Sequence, residues 1–504
     1  HLWHVADDKL KLIKSEELKK NMFIPMPFKI NVEGCLQKIN VYNLIKDFSY
    51  SYKTCIISNS EVKNIVNNLV CDFKNEYRDY RLKMSEKYGV HQSYFYEILH
   101  RGNSISFEIL DQIGDINCLN NIGLVVYGRG AKNKEKQIKV PSEVDEDLAY
   151  LAGTIISDGH LSKNMVDVAC YEDGFREAVM EKLMNKFGKA DCFDGNRVYL
   201  CSVFAPYFFN KVFGIPYGKK HRIVKVPETI FKSDNKVVAS FIKGLFDGDG
   251  TCKSSLSYKS NSKKLVEGLS YLLARLGIFS EIRFKNNIYK LVIPSIYENI
   301  YSKEINFFDK RKKTDLENLM KKKYNEAKSY INHGRVPAKP VLDLMKKLNV
   351  SKNKISKLCN VNYNRLVYYD SLAKPFVKKI ILILENEIKS KKHEELEYIK
   401  WLVNCNQEFV KIESIDVFEN KNKISVYDIE LEPCKFFIAG NKPMNIFDTI
   451  RRFTKEPWPP IKLMQFKTVS PEILAYLWLM IEYESNFVII GGTGSGKTSL
   501  LNSL

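Results

Sequence analysis

Two segments, DLAYLAGTIISDGHL (147–161) and SFIKGLFDGDGTCK (240–253), repeat one pattern: small and apolar residues at helical spacing, a terminal Asp, then Gly. The terminal acids, Asp158 and Asp249, stand 91 positions apart, and Gly153 and Gly244 each lie five positions before them. Small residues at that spacing let two helices pack closely side by side, which predicts that Asp158 and Asp249 converge at one end. Carboxylates placed there face the negative ends of both helix dipoles and repel one another, a situation that a cation relieves. Oxygen-only ligation suits Mg²⁺ or Mn²⁺, and metal between two carboxylates can activate a water and stabilise the leaving oxygen of a phosphodiester. One Asp-Gly is an ordinary way to end a helix in a turn; the matched pair sets these two apart.

The paired segments resemble the signature of the LAGLIDADG, or dodecapeptide, homing endonucleases. The resemblance implies that the acid before the last Gly of each motif, Asp158 and Asp249, binds the catalytic Mg²⁺ or Mn²⁺, while Ile156 and Ser157 depart from the family's more acidic first motif. KKHRIVKVPETIF (219–231) resembles the family's basic block, where a Lys shortly before Pro assists catalysis; Lys225 is the first candidate and Lys220 the second. LSYLLARLGIFSEI (269–282) with IYKLVI resembles the block after the second motif. The implied fold over 145–300 is a pseudo-symmetric αββαββα pair whose saddle-shaped sheets lie on double-stranded DNA and cut both strands. Lys219, Lys220, Arg222 and Lys225 form a strip without an acid, as a phosphate-binding face requires.

Charge agrees with a polyanionic partner: 78 Lys and Arg against 59 Asp and Glu give a formal net charge of +19. At 504 residues several domains are expected. Helical, basic accessory regions are expected over 36–135 and 301–400. Within them KMSEKYGVHQSYFYEILHRG (83–102) and LMKKLNVSKNKISKLCNVNYNRLVYYD (344–370) resemble helix-turn-helix units, with Gln92, Ser93 and Tyr96 in the first and Asn362, Asn364 and Arg365 in the second as DNA readers. Helical packing without DNA contact is the competing reading of both.

Residues 1–30 alternate in the strand period and read as a small β-meander, and 404–445 are strand-rich again, so a β module is interrupted by a large insertion. The opening resembles the second conserved block of inteins, with His1 at the position that polarises the scissile amide. ISVYDIELEPCKFFIAGNKPMN (424–445) resembles the C-terminal intein blocks, with Asp428 in a matching position and Asn445 as the residue that cyclises. Three positions depart from that pattern: Lys435 replaces a His, Met444 replaces the penultimate His, and Ile446 stands where Ser, Thr or Cys is required. Loss of one general acid–base costs about 10²–10⁴-fold, so weak or absent splicing is expected.

From 446 to 504 the texture changes. NFVII runs into GGTGSGKT, in which Gly491, Gly492, Thr493, Gly494, Ser495, Gly496, Lys497 and Thr498 fit a Walker A loop binding ATP and Mg²⁺. This stretch resembles the start of the RecA-like motor of type II/IV secretion ATPases, archaeal pilus and archaellum motors in particular. The resemblance implies a homo-hexameric host at the inner face of a membrane secretion or pilus complex. The first residue is His, and the P-loop lies at the very end, so both ends are expected to be cut.

The fold expected is multidomain α+β and α/β: an all-β Hint-type module split by the endonuclease and its helical segments, then the start of a P-loop domain. Eleven Cys without a C-x-x-C pair fit a reducing cytosol, and the apolar run 473–481 is too short to span a bilayer. The expected function is a metal-dependent, site-specific double-strand DNA endonuclease within an inserted splicing element. Two rival readings are a DNA-binding protein with an inactive nuclease, and an ATPase whose P-loop is its only active function.

Overall fold

The computed structural model describes residues 2–6, 9–114, 123–127, 137–193, 195–321, 334–360, 366, 370–388, 393–417, 436–440, 445–448, 459–483 and 500. The chain divides into a large unit, Leu2–Asp416 with Ile438–Ile446, and a small one made of His1, Val417–Phe437 and Phe447–Leu504.

At the centre of the large unit lie the two helices that carry the repeated pattern, Glu146–Ser157 and Asn235–Asp249. The Asp145 side chain caps the first by accepting from the Leu148 amide at 3.0 Å, and Asp234 caps the second through the amides of Lys236 and Val237. From Leu148 to Ile156 the first helix is buried on every side, which a lone amphipathic helix would not be. Its neighbour is the second helix, at a separation set by glycine. A Cβ on Gly153 would come within 2.3 Å of the Phe241 carbonyl oxygen, and a Cβ on Gly244 within 2.3 Å of the Tyr150 carbonyl oxygen. The two backbones touch where any side chain would part them.

Each helix turns directly into a four-stranded antiparallel sheet. The first sheet runs Gly159–Leu161, Met165–Ala169, Arg197–Cys201 and Asp191–Phe193 in spatial order; the second runs Gly250–Thr251, Ser257–Ser260, Ile288–Val292 and Glu281–Lys285. Helices Asp173–Phe187 and Phe204–Phe213 complete the first half, and Lys263–Arg275 and Glu298–Glu304 the second. The order in each half is αββαββα. Strand alternation sorts the faces: Val166, Val168, Val198 and Leu200 are fully buried on the inner face, and Tyr258, Leu291 and Ile282 are buried on that of the second half, where Ser257 is buried as well.

The segment before this two-sheet core is not purely helical. Its helices Ser60–Glu76, Tyr80–Tyr88 and Tyr94–Arg101 pack beside a sheet of Ile105–Ser106, Lys53–Ile56, Gly123–Tyr127 and Ile138–Lys139. Gly89, at φ 62°, makes the turn between the last two of those helices. Beyond the core, helices Ala338–Lys347, Lys352–Cys359, Lys374–Glu387 and Glu394–Asn404 build a second hydrophobic cluster around Val341, Ile355, Val377 and Leu402.

Leu2–Val5 and Leu10–Ile13 form the expected hairpin. Phe23–Pro27 does not join it as the third strand of a meander; it pairs antiparallel with Gln407–Lys411, from the far side of the insertion. The hairpin also shares a sheet with Phe436–Ala439 and Asn445–Asp448. The boundary drawn after Asn445 therefore falls inside a strand.

In the small unit the described residues include helices Pro460–Gln465 and Pro471–Glu482, the second capped by Ser470. Among the described residues no helix is long and apolar enough to cross a membrane. The glycine contact yields a prediction: Gly153→Val forces the central helices apart and destabilises the protein by about 1–3 kcal/mol or more, read as a lowered denaturant midpoint.

Candidate active site

Asp158 closes the first central helix and Asp249 is the last residue of the second. The helix ends meet. A Cβ on Gly248 would lie 2.1 Å from Ser157 Oγ and 2.9 Å from Asp158 Oδ2, and the Asp158 charge acts on the Asp249 carboxyl. Both side chains reach solvent, yet dense protein stands behind them. Burial, and after it the negative charge of Asp158, pushes the Asp249 carboxyl up to about 6, while Lys220 and Lys312 pull it back. Burial also raises Asp158, opposed by Lys312 and then Lys220.

Those two lysines hold equivalent places. Lys220 Nζ donates to the carbonyls of Ile155 and Gly159 at the end of the first helix. Lys312 Nζ donates to the carbonyls of Phe246 at 3.0 Å, Asp247 at 2.5 Å and Gly248 at 2.6 Å at the end of the second. Each places a cation where a helix dipole is negative and its last carbonyls lack partners. Burial lowers the Lys220 ammonium to about 8, against the attraction of Asp249 and Asp158, and lowers Lys312 in the same direction. An ammonium has three N–H donors. Lys312 spends three on its helix; the two helix bonds of Lys220 leave one N–H for a further acceptor.

Lys225, the first candidate among the lysines of the basic block, is exposed on the surface beside Glu228, and the cations that act on the two aspartates are Lys220 and Lys312. Lys219 and Arg222 are exposed around the turn that Lys220 opens, and buried Val224, whose carbonyl accepts from the Ser262 hydroxyl at 2.5 Å, anchors that turn. Sequence reasoning missed Lys312. A signal was present: Lys220 follows Asp158 by 62 positions and Lys312 follows Asp249 by 63. Asp247 was passed over as well. Its buried carboxylate accepts from the Tyr150 hydroxyl at 2.8 Å and from the amides of Phe308 and Asp309, and so ties the segment leading to Lys312 onto both central helices.

Of the accessory readers, Gln92 and Tyr96 are exposed, with the Tyr96 ring against His100 and beneath the Arg81 guanidinium. Ser93 does not face outward freely: its hydroxyl is bonded to His91 Nδ1 and to Glu97 Oε1 within the turn. Asn362, Asn364, Arg365, His1, Asp428 and the loop from Gly491 to Thr498 lie outside the described residues, and Asn445 is described only as the first residue of its strand.

The donor set fits a divalent cation. The two carboxylates stand at adjoining helix ends, close enough for the Asp158 charge to act on Asp249, and the nearby helix carbonyls are already occupied by lysine. Among the described residues there is no cluster of three or more His, Cys, Asp or Glu side chains. Waters and phosphate oxygens would have to complete the coordination of a hard ion, as Mg²⁺ commonly requires.

Comparison with known proteins gives two kinds of match. Residues 236–306, which span the second acidic helix and its sheet, match the LAGLIDADG-like domain. The chain is 29% identical over 364 residues to the Rpo1C component of the DNA-directed RNA polymerase of Methanocaldococcus jannaschii, covering 67% of this chain and 38% of that one. It is 32% identical over 184 residues to a component of the A-type ATP synthase of Pyrococcus abyssi, covering 34% and 18%, and 25% identical over 458 residues to a glutamine--fructose-6-phosphate aminotransferase of M. jannaschii, covering 82% and 38%. The chain thus spans less than two fifths of the length of these curated relatives. Among solved structures it is similar to the homing endonuclease I-DmoI in complex with DNA and Mn, at 20% identity and a TM-score of 0.26, covering 32% of this chain and 97% of that one.

Because the folded Asp249 carboxyl is raised, the metal-free folded state holds a proton that the unfolded chain has released; its stability therefore falls as pH rises through the interval from about 4 to about 6. Asp249→Asn removes the repulsion and is expected to raise the metal-free Tm at pH 7, by roughly 2–4 °C per kcal/mol relieved. Mg²⁺ or Mn²⁺ should raise the Tm of the unsubstituted protein and not of the variant; equal shifts in both would count against a cation between the two acids.

Proposed function

We propose that this chain carries a site-specific, metal-dependent DNA endonuclease housed within a splicing-type element that interrupts a nucleotide-binding host protein. The observation that carries the nuclease reading is the convergence of Asp158 and Asp249, each beside its own capping lysine, at the meeting point of two pseudo-symmetric sheets. The match of 236–306 to the LAGLIDADG-like domain supports it.

A divalent cation held by Asp158 and Asp249 would neutralise the phosphate and make its bound water more acidic. The chain's own groups do the rest. Asp158 and Asp249 must be ionised to bind the cation, and the central packing holds them at a fixed separation. Lys220, whose ammonium feels both Asp249 and Asp158, can offset negative charge that develops on a phosphate oxygen. Lys312 keeps the last carbonyls of its helix satisfied and so fixes the direction of Asp249. The two sheets present their outer faces to a duplex on either side.

The inserted-element reading draws on the relatives and the clasp. An RNA polymerase component, an ATP synthase component and an aminotransferase have no reaction in common, yet each is similar to a long part of this chain. A mobile segment shared by unlike hosts accounts for that, and the pairing of Phe23–Pro27 with Gln407–Lys411 is the closure such a segment needs. Asn445 remains the proposed cyclising residue, with Ile446 after it unable to act as a nucleophile. The P-loop, Gly491 to Thr498, is assigned to the host, with ATP and Mg²⁺ as its ligands and a secretion-type ATPase as its class.

Cutting of a plasmid bearing the uninterrupted host site, in Mg²⁺ or Mn²⁺, tests the nuclease. Asp158→Asn and Asp249→Asn are expected to abolish it, and Lys220→Met to lower it on the order of a hundredfold or more while DNA binding persists. Binding without any cutting by the unsubstituted protein would instead establish a DNA-binding protein with an inactive nuclease. For the splicing part, the chain with its upstream region restored is expected to give no ligated host product by mass measurement; a ligated product would overturn the inactivity inferred from Met444 and Ile446.

A further inference from the structure

The two sheets share one backbone plan but differ in charge. In the first, His160 pairs with Asp167, Asp167 with Tyr199, and Tyr199 with Asp191. In the second, Thr251 pairs with Ser257, Ser257 with Val292, and Val292 with Glu281. Gly159 and Gly250 open the first strand of each sheet and pair with Val168 and Tyr258, so these rows are equivalent and lie on the side of that pair away from the acids. Directly paired residues share a face, and here it is the one opposite Val166, Val168, Tyr258 and Leu291, which are buried inside; Ser257 is buried as well. The row on the acid side, where the Ala169 amide donates to the Asp158 carbonyl at 3.2 Å, pairs Ala169 with Arg197 in the first sheet and Lys259, Lys290 and Arg283 in the second; Lys285 follows one row beyond.

The outer face of the second sheet therefore carries Lys259, Lys290, Arg283 and Lys285 against the single acid Glu281, which pairs with Arg283 at 2.6 Å. On the first sheet Arg197 is bonded to Asp167 at 3.1 Å, and Asp191 is exposed. One face is a cationic platform; the other is neutral to acidic.

We infer that duplex DNA is gripped asymmetrically: the second sheet holds the phosphate backbone through Lys259, Arg283, Lys285 and Lys290, while the first sheet adds little electrostatic affinity. This rests on the nuclease reading for its partner, duplex DNA. A row of three cations spaced as neighbouring strands are, about 4.8 Å apart, suits the polyanionic edge of a groove. Carboxylates at Asp167 and Asp191 repel phosphate, and they suit only donors on base edges.

The test is the salt dependence of binding by the full chain to a mixed-sequence DNA duplex, in metal-free buffer so that no cutting intervenes. Each phosphate contact contributes about 0.9 to the slope of log K against log salt concentration. Replacing Lys259, Arg283, Lys285 and Lys290 by Gln should lower that slope by roughly 3.6, whereas Arg197→Gln should lower it by about 0.9 at most. Ala169→Lys, which copies Lys259 onto the equivalent position of the first sheet, should steepen it. Equal losses from the two sheets, an unchanged slope in the fourfold variant, or no binding by the parent chain would overturn the asymmetry. Plasmid cutting separates the two claims: cutting with an unchanged slope overturns the asymmetry alone, and a lowered slope without cutting overturns the nuclease alone.

Discussion

The contact between the backbones of Gly153 and Gly244 is the constraint from which the central structure follows. With each glycine's backbone packed against a carbonyl of the opposite helix, too close for even a Cβ, the helices have no freedom to slide or separate without losing contact along their length. That fixes where Asp158 and Asp249 end up, and it fixes where each sheet starts, because Gly159 and Gly250 follow at once. A looser pair of helices would carry the same acids at a separation that wanders with side-chain packing.

Bringing two helix C-termini and two carboxylates together concentrates negative charge, and the structure answers it in parts. Lys220 and Lys312 satisfy the helix carbonyls, each on its own side. Two lysines do not complete the compensation of the carboxylates, because the ammonium groups are turned toward the carbonyls and burial weakens their charged state. Asp249 is left raised to about 6. Stability is given up locally where two carboxyls share the ends of two helices.

Much of this core was legible because both motifs combine periodicity with a singular feature. The repeated Gly five positions before each Asp identified the helices and their close approach, and the two sheets came from the resemblance that the motifs carry. What was not legible depended on contacts distant in sequence. Lys225 precedes a Pro, as the resemblance asked, but Lys220 is the residue whose loop folds it against the helix end; nothing local distinguishes one lysine from another in a basic strip. Lys312 lies in an ordinary basic helix start, and its role exists only because Asp247 captures the amides of Phe308 and Asp309. Ser93 read as a DNA-contacting residue of a helix-turn-helix unit, whereas its hydroxyl is bonded within the turn it sits in. The strand Phe23–Pro27 looked like the next step of a meander because alternation reveals a strand and not its partner.

That last pairing explains how one chain can house both a β module and the two-sheet core. Residues 28–406 leave and return through neighbouring strands, so the insertion closes a loop in which its own ends are already side by side. Loop-closure entropy grows only logarithmically, about 0.6 kcal/mol for each doubling, so a large insertion burdens the clasp little more than a small one. The inserted part offsets the rest of its ordering entropy through its own core, since the central helices and both sheets bury their apolar faces against one another. Glu408 adds a polar lock to the clasp: its buried carboxylate accepts from the Tyr297 hydroxyl at 2.6 Å and from the Gly334 amide, so the returning strand is bonded to the last segment of the nuclease core and to the start of the helical region after it. The strands Phe23–Pro27 and Gln407–Lys411 and the two-sheet core between them are therefore mechanically joined at the clasp, although the acids that define the proposed chemistry lie on helices elsewhere in the fold.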